Sequence, residues 1–494
     1  MVVLRNLTNI KSLLFNNQTV KQTIFKNVFW LAATEGISKV TKLVLFIYIA
    51  RILGATEYGK FAFALAFVSL FVIFFDFGLP QITTRELARE KEKEKEFPAV
   101  FSLKILLGLG TLILVLISSF FVAPDPIIQR VIWILALSFF IEGLSEIFIA
   151  FFRARQKMEY ESFIRNLGSL ALVGVGLFTL FYFPSILNLS YGYLFGALIA
   201  LTFALILFWL KVRRPSFNWD RSIWQKFLSI SWPLGLITIV TTIYNQIDSV
   251  MMGFWGQITQ VGWYNAAYRI VWPTLIPASL ISVSLFPVLS RYFRESKEKL
   301  QKIWSYQMET MILLAIPLMT GGVVLAPRII DFIYDSSFAP SILAFQILIV
   351  MIGIIFIYNA FYQVLIAADQ QKKIFWAVLS GAIINVILNL ILIPKFSLYG
   401  AAFSTVITHL LIFFFLFKFT LKFTPIRPFN VKFLLNIIAI FFSNAVMYLI
   451  IIQPQVYNLH LLLSIFVGMA AYFAAIFLLK YVINYFSCHY LLKI

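Results

Sequence analysis

The sequence predicts an all-α polytopic membrane protein, and three observations carry that reading. Mean hydropathy is +0.91 across 494 residues, of which 61% are hydrophobic, beyond the range of ordinary soluble domains. Apolar runs of about 20 residues, enough to cross a hydrocarbon core roughly 30 Å thick, recur along the whole chain. Lys and Arg divide very unevenly between alternate connections.

About fourteen spans follow in order, at 28–49, 61–82, 99–122, 131–152, 167–183, 191–210, 227–252, 263–289, 303–325, 341–367, 374–393, 399–419, 433–452 and 461–482. Counted with the span ends that abut them, the connections on the N-terminal side hold thirty-one of the forty Lys and Arg. The opposite side holds Arg51, Lys60, Arg130, Arg328 and Lys395. Basic residues stay in the cytoplasm, so the reading is a multi-pass cell-membrane protein with both termini cytoplasmic. The formal charge of +19 is then spent on topology and anionic lipid, with no nucleic acid as partner. Cys488 is the sole cysteine, which leaves no intrachain disulfide, and Met1 to Thr19 lacks the continuous apolar core of a signal peptide.

Two halves echo each other at a spacing of about 200 residues. Ala154-Arg155-Gln156 matches Ala368-Asp369-Gln370, Tyr191-Gly192 matches Tyr399-Gly400, and Gly54 and Gly59 match Gly256 and Gly262. Matched residues fall on the same membrane side, so the halves are parallel repeats with a central cavity expected between them. The expected organisation is a cytoplasmic segment 1–26, a six-helix bundle 27–211, a cytoplasmic linker 212–226, a second six-helix bundle 227–421, and two last helices with a tail at 422–494.

Ala50-Arg51-Ile52-Leu53-Gly54, Tyr58-Gly59, Asp76-Phe77-Gly78-Leu79 and Arg85-Glu86-Leu87-Ala88-Arg89 closely resemble the N-terminal signature of the Wzx polysaccharide-unit flippases. Ile247-Asp248 and Gly262-Trp263-Tyr264-Asn265-Ala266-Ala267-Tyr268 resemble the matching signature of the second half. The resemblance implies the multidrug/oligosaccharidyl-lipid/polysaccharide superfamily, a MATE-like fold and alternating access. It further implies translocation of a polyprenyl-pyrophosphate-linked oligosaccharide, as for O-antigen, from the cytoplasmic to the outer leaflet. Membrane lipids, a polysaccharide polymerase and a ligase are the implied partners, and a monomer suffices for the cycle.

Four cations lie inside spans: Lys39 and Lys42 in the first, Lys104 in the third and Arg269 in the eighth. A lone charge at the bilayer centre costs at least ~2.5 to 3.5 kcal/mol, so such residues usually face a bundle interior or a water-filled cavity. Glu35 stands four residues before Lys39, a natural ion pair that leaves Lys42 as the freer cation. Lys42 and Arg269 are expected to hold a pyrophosphate, Arg through paired hydrogen bonds and Lys as a point charge. Lys39 and Lys104 are expected beside them in the cationic cavity, though Lys104 is shallow enough to snorkel to the cytoplasmic interface instead. Glu35, Asp76, Glu142, Glu146, Asp248 and Glu309 are the embedded acids. Asp248, Glu142 and Glu35 are the first candidates for coupling to H+ or Na+. Arg85, Glu86 and Arg89, with Arg291, mark inner span ends that suit a cytoplasmic gate.

No catalytic, metal or cofactor motif emerges. Gly54-Ala55-Thr56-Glu57-Tyr58-Gly59-Lys60-Phe61 approaches a phosphate-binding loop, but Phe61 stands where a magnesium-holding hydroxyl is required. The three histidines are scattered, and Trp255, Trp263, Tyr264 and Tyr268 are explained more simply by the interfacial aromatic belt than by sugar stacking. A transporter is therefore expected, not an enzyme. The alternative is an ion-coupled exporter of cationic drugs on the same fold, which would prefer an acidic cavity.

Overall fold

A computed structural model of the chain describes residues 19–123, 125–428 and 431–490. The predicted segment 1–26 lies outside the described residues up to 18, as do 491–494 of the tail. Among the described residues twelve helices are long and apolar enough to cross a membrane. Two of these, Phe29–Arg89 and Gln371–Phe423, contain backbone breaks at Gly54 and Ser397, and a predicted span lies on either side of each break. The fourteen predicted spans thus fall on twelve helices. The chain divides into two compact units, Met1–Gly262 and Trp263–Ile494.

The first unit opens with α1, Val20–Asp76, broken at Gly54 with φ 77° and ψ 174°, a backbone region essentially reserved for glycine. It ends on two successive left-handed residues, Phe77 and Gly78. Then follow α2 (Leu79–Arg89), a 3-10 turn (Lys91–Glu96), α3 (Phe97–Val122), α4 (Pro126–Ala154), α5 (Met158–Tyr182), α6 (Ile186–Lys211) and α7 (Arg221–Phe254). Phe97, Phe148, Phe151 and Phe208 fill the core, with Phe208 centroids 5.1 Å from each of the other three, within the preferred range for aromatic pairs. Small residues close α5 onto α6: a Cβ on Gly196 would stand 2.7 Å from the Gly168 carbonyl oxygen, the usual packing device where hydrophobicity cannot drive helix association.

The predicted linker is shorter and firmer than its sequence suggests. Residues 221–226 already belong to α7, and the segment before them is tied to α3, with the Asn218 amide donating to Ser102 Oγ at 3.1 Å and Phe217 stacked on Phe101. Asp220 caps α7, and the Ser222 hydroxyl, then the Ile223 and Ser222 amides, hold its carboxyl below the usual range.

The division between units falls within α8 (Ile258–Val271), so α7 groups with the first unit, whereas the sequence places 227–252 at the head of the second bundle. A 3-10 turn (Trp272–Leu275) leads to α9 (Ile276–Glu295), followed by α10 (Lys297–Ile333), a 3-10 turn (Ser336–Phe338), α11 (Ser341–Ala367), α12 (Gln371–Phe423), α13 (Val431–Ile451), α14 (Pro454–Tyr457) and α15 (Leu461–Tyr490). Trp304, Phe361, Leu416 and Tyr472 share the core of this unit. The last helices dock through polar contacts that include Tyr472 Oη donating to the Leu313 carbonyl at 2.8 Å, Asn444 Nδ2 donating to Thr320 Oγ1 at 2.9 Å, and Arg328, which bridges the carbonyls of Tyr457 and Leu459 while reaching Ser464 Oγ at 2.9 Å. Arg328→Ala is expected to cost about 1–3 kcal/mol by orphaning these acceptors. The checks are a lowered melting temperature and faster proteolysis between α13 and α15.

The internal repeat is visible in matching turns. Gln156 and Asp369 both have φ 58°. Each turn repeats the same bonds, Gln156 N to Arg153 O and Lys157 N to Phe152 O against Asp369 N to Ile366 O and Gln370 N to Leu365 O. Superposing the two left-handed positions pairs Gln156 with Asp369, one residue away from the alignment of the shared Ala and Gln; the same turn also closes α7 at Gly256.

Candidate functional site

The first-span cations lie on a helix whose rotation is fixed from the opposite side. Ser38 Oγ meets Ser169 Oγ of α5 at 3.0 Å, and Glu35 and Lys39, one turn apart, point away with side-chain exposures of 65% and 57%. Their charged groups stand 2.9 Å apart. Lys42, one further turn along, is half-buried and has no ion pair among the described residues. This stretch therefore carries one neutralised cation and one uncompensated one.

Lys104 sits elsewhere. Its side chain is fully buried in the first unit, where Nζ donates to the Phe75 carbonyl at 3.1 Å, pairs with Asp76 and lies 4.0 Å from the Phe75 ring centroid. The expectation that it snorkels is corrected: the break at Phe77-Gly78 ends α1 with unsatisfied carbonyls, and Lys104 closes that end. Burial and the Asp76 pair give Lys104 a structural role in the first unit.

The acids also separate. Glu142 is exposed and without an ion pair among the described residues, while Asp248 is buried in α7 with 4% exposure. Glu146 pairs with Arg165 at 2.7 Å, and Arg165 joins Glu161, which also holds Arg153. Lys26 and Glu159 form a second buried pair at 2.9 Å. Apart from Glu161 and Arg165, four residues apart on α5, the partners in both networks are brought together by packing between helices, with no local spacing to announce them.

Of the gate candidates, Glu86 is the buried hub. Arg85 reaches it at 2.9 Å, Lys93 of the 3-10 turn at 2.8 Å and Arg89 at 4.0 Å. This ties α2 to the turn that follows it. Arg291 is exposed and pairs with Glu295 of its own helix at 2.8 Å.

Arg269 lies on α8 three residues before the helix changes to a 3-10 turn at Trp272, next to Pro273. Broken helices at membrane depth line cavities or binding sites, because freed backbone groups must be satisfied there. Tyr264, Tyr268 and Trp272 stack down the same helix, with centroids 6.0 and 5.5 Å apart. At the start of α8, inside the first unit, Gly59 and Gly262 face each other's helices. A Cβ on Gly59 would stand 1.9 Å from the Ile258 carbonyl oxygen, and one on Gly262 would stand 2.0 Å from that of Ala55. Thr56 and Thr259 hydroxyls meet there at 2.9 Å. Among the described residues no three His, Cys, Asp or Glu gather to hold a metal ion.

These features define a multi-pass helical membrane protein. The polysaccharide biosynthesis protein family matches residues 24–293, and the MatE family matches 233–391. The chain belongs to the polysaccharide biosynthesis protein family, within the multidrug/oligosaccharidyl-lipid/polysaccharide superfamily, and is a transporter and not an enzyme. A probable low-salt glycan biosynthesis flippase, Agl15 of Haloferax volcanii, is 22% identical over 371 residues, covering 73% of this chain and 76% of its own. A putative O-antigen transporter of Escherichia coli is 24% identical over 264 residues, 51% of this chain and 61% of its own. A solved structure with a similar fold is the lipid II flippase MurJ, inward closed conformation, with TM-score 0.74 at 18% identity, covering 91% of this chain and 98% of the other.

Proposed function

We propose that the protein flips a lipid-linked oligosaccharide from the cytoplasmic to the outer leaflet of the cell membrane, for assembly of a surface polysaccharide. The observation that carries this reading is Lys42, a cation inside a membrane span with no ion pair among the described residues. A charge so placed is costly unless an anion or water meets it, and the pyrophosphate of a polyprenyl carrier is such an anion. Lys39 stands beside it, already paired with Glu35, and Arg269, at a broken helix of the second unit, is the other cation we assign to the headgroup. The family and the relatives named as flippases support the same substrate class. Coupling to H+ or Na+ is assigned first to Asp248, with Glu142 and Glu35 behind it. We assign both termini to the cytoplasm, which the distribution of Lys and Arg supports, and the product to a polymerase and ligase outside.

The test is the leaflet distribution of polyprenyl-linked oligosaccharide in cells depleted of the protein. Accumulation on the cytoplasmic side is expected, restored by the wild type, while Lys42→Ala and Arg269→Ala each lower the flipping rate at least about tenfold, the effect of losing one charge-assisted contact. An unchanged distribution in depleted cells lacking any second carrier would refute the reading.

A further inference from the structure

The two equivalent turns of the repeat share a backbone and differ in what surrounds them. In the first unit the turn at Gln156 is sealed by the chain itself. Lys26 Nζ donates to the Gln156 carbonyl at 3.0 Å, Asn27 Nδ2 to its side-chain oxygen at 2.6 Å, and Arg155 pairs with Glu94. In the second unit the turn at Asp369 opens on a cavity of about 400 Å³, within the size range of small-molecule sites.

The opposite wall of that cavity is the end of α9, which supplies Ser290, Arg291 and Arg294. Neither Asp369 nor Arg294 has an ion pair among the described residues, and Arg291 engages only Glu295. The Ser290 hydroxyl is sealed from solvent without a hydrogen-bond partner, a state that buried polar groups rarely keep. Gln371, also on the wall, opens α12 with no side chain capping its amides. Lys372 and Lys373 occupy the first turn of that helix, where the helix dipole disfavours positive charge and favours an anion.

We propose that this cavity binds a phosphate-bearing ligand. Arg294 and Arg291 take the phosphate oxygens, since guanidinium forks match that geometry. The Ser290 hydroxyl, sealed in the free protein, donates to the same group once its side chain rotates into the cavity. Asp369 accepts from a hydroxyl or ammonium neighbouring the phosphate, which selects an ester with a polar substituent over a bare anion. The ligand is either the headgroup of a membrane lipid or a soluble phosphate compound, and the same chemistry serves both.

The test uses full-length protein, purified and stripped of lipid. Inorganic pyrophosphate is titrated calorimetrically in detergent. In parallel, phospholipid retained from nanodiscs of phosphatidylcholine with and without phosphatidylglycerol is counted by native mass spectrometry. Wild type is expected to bind at least one probe saturably. Arg294→Gln, an exposed position expected to fold normally, is expected to weaken that binding at least about tenfold, and Ser290→Ala to weaken it less. Arg214→Gln, on the linker, serves as the control for loss of general surface charge. Pyrophosphate binding lost in Arg294→Gln supports a soluble ligand, and phosphatidylglycerol retention lost in the same variant supports a lipid headgroup. Binding of neither probe, or equal loss in Arg214→Gln, overturns the proposal.

Discussion

Lys104→Met is expected to destabilise the protein by about 3–5 kcal/mol, the usual result of removing one partner from a buried ion pair. The figure should fall toward the lower end, because Asp76 keeps 27% side-chain exposure while Lys104 has none. Methionine preserves most of the side-chain length, so packing against Phe75 changes little and the loss reports chiefly the charge. The Asp76 carboxylate is left unpaired, and the Phe75 carbonyl at the broken end of α1 loses its donor. Adding Asp76→Leu to Lys104→Met should recover most of the melting temperature, since replacing both members of a buried pair by apolar groups is often close to neutral. A single variant that melts normally yet flips slowly would return Lys104 to the substrate path.

The contrast between Lys104 and Lys39 shows what the sequence makes legible. Glu35 and Lys39 are four residues apart on one helix, so their pair follows from helical geometry alone, and the structure places them 2.9 Å apart. Lys104 and Asp76 lie on different helices, and only the break at Phe77-Gly78 turns the chain so that the two meet. The spans themselves were legible because a bilayer demands long apolar runs whatever the packing. The breaks differ: Gly54 was readable as a turn residue, but Ser397 adopts φ 53° without being glycine, and nothing in its local sequence requires that. At the candidate site, residue types were legible and exposure was not. Depth within a span is given by the sequence, while the direction a side chain faces depends on neighbours such as Ser169.

Cysteines replacing Thr56 and Thr259 are expected to cross-link under mild oxidation and to stop flipping, with activity returning on reduction. The two hydroxyls stand 2.9 Å apart, so a 2.05 Å sulfur–sulfur bond needs only a small adjustment. The crossing around them is tight on both sides: Gly59 lies against the backbone at Ile258 and Gly262 lies against that at Ala55. A helix pair in such contact has two stable options, seated or parted, because close-packed interfaces do not deform continuously. In the proposed flipping cycle this seated crossing belongs to one of the alternating forms and must part in the other. Gly59→Val attacks the same contact from the opposite direction. Its Cβ would stand 1.9 Å from the Ile258 oxygen, an overlap that forces the helices apart at a cost of about 1–3 kcal/mol. The cross-link should therefore hold the crossing shut and the valine should hold it open, and both should lower the flipping rate. Protease or thiol-reagent access to residues near Thr56 separates them, falling in the cross-linked protein and rising in Gly59→Val. Full activity in the oxidised, quantitatively cross-linked protein would show that the crossing is a fixed hinge and not a moving contact.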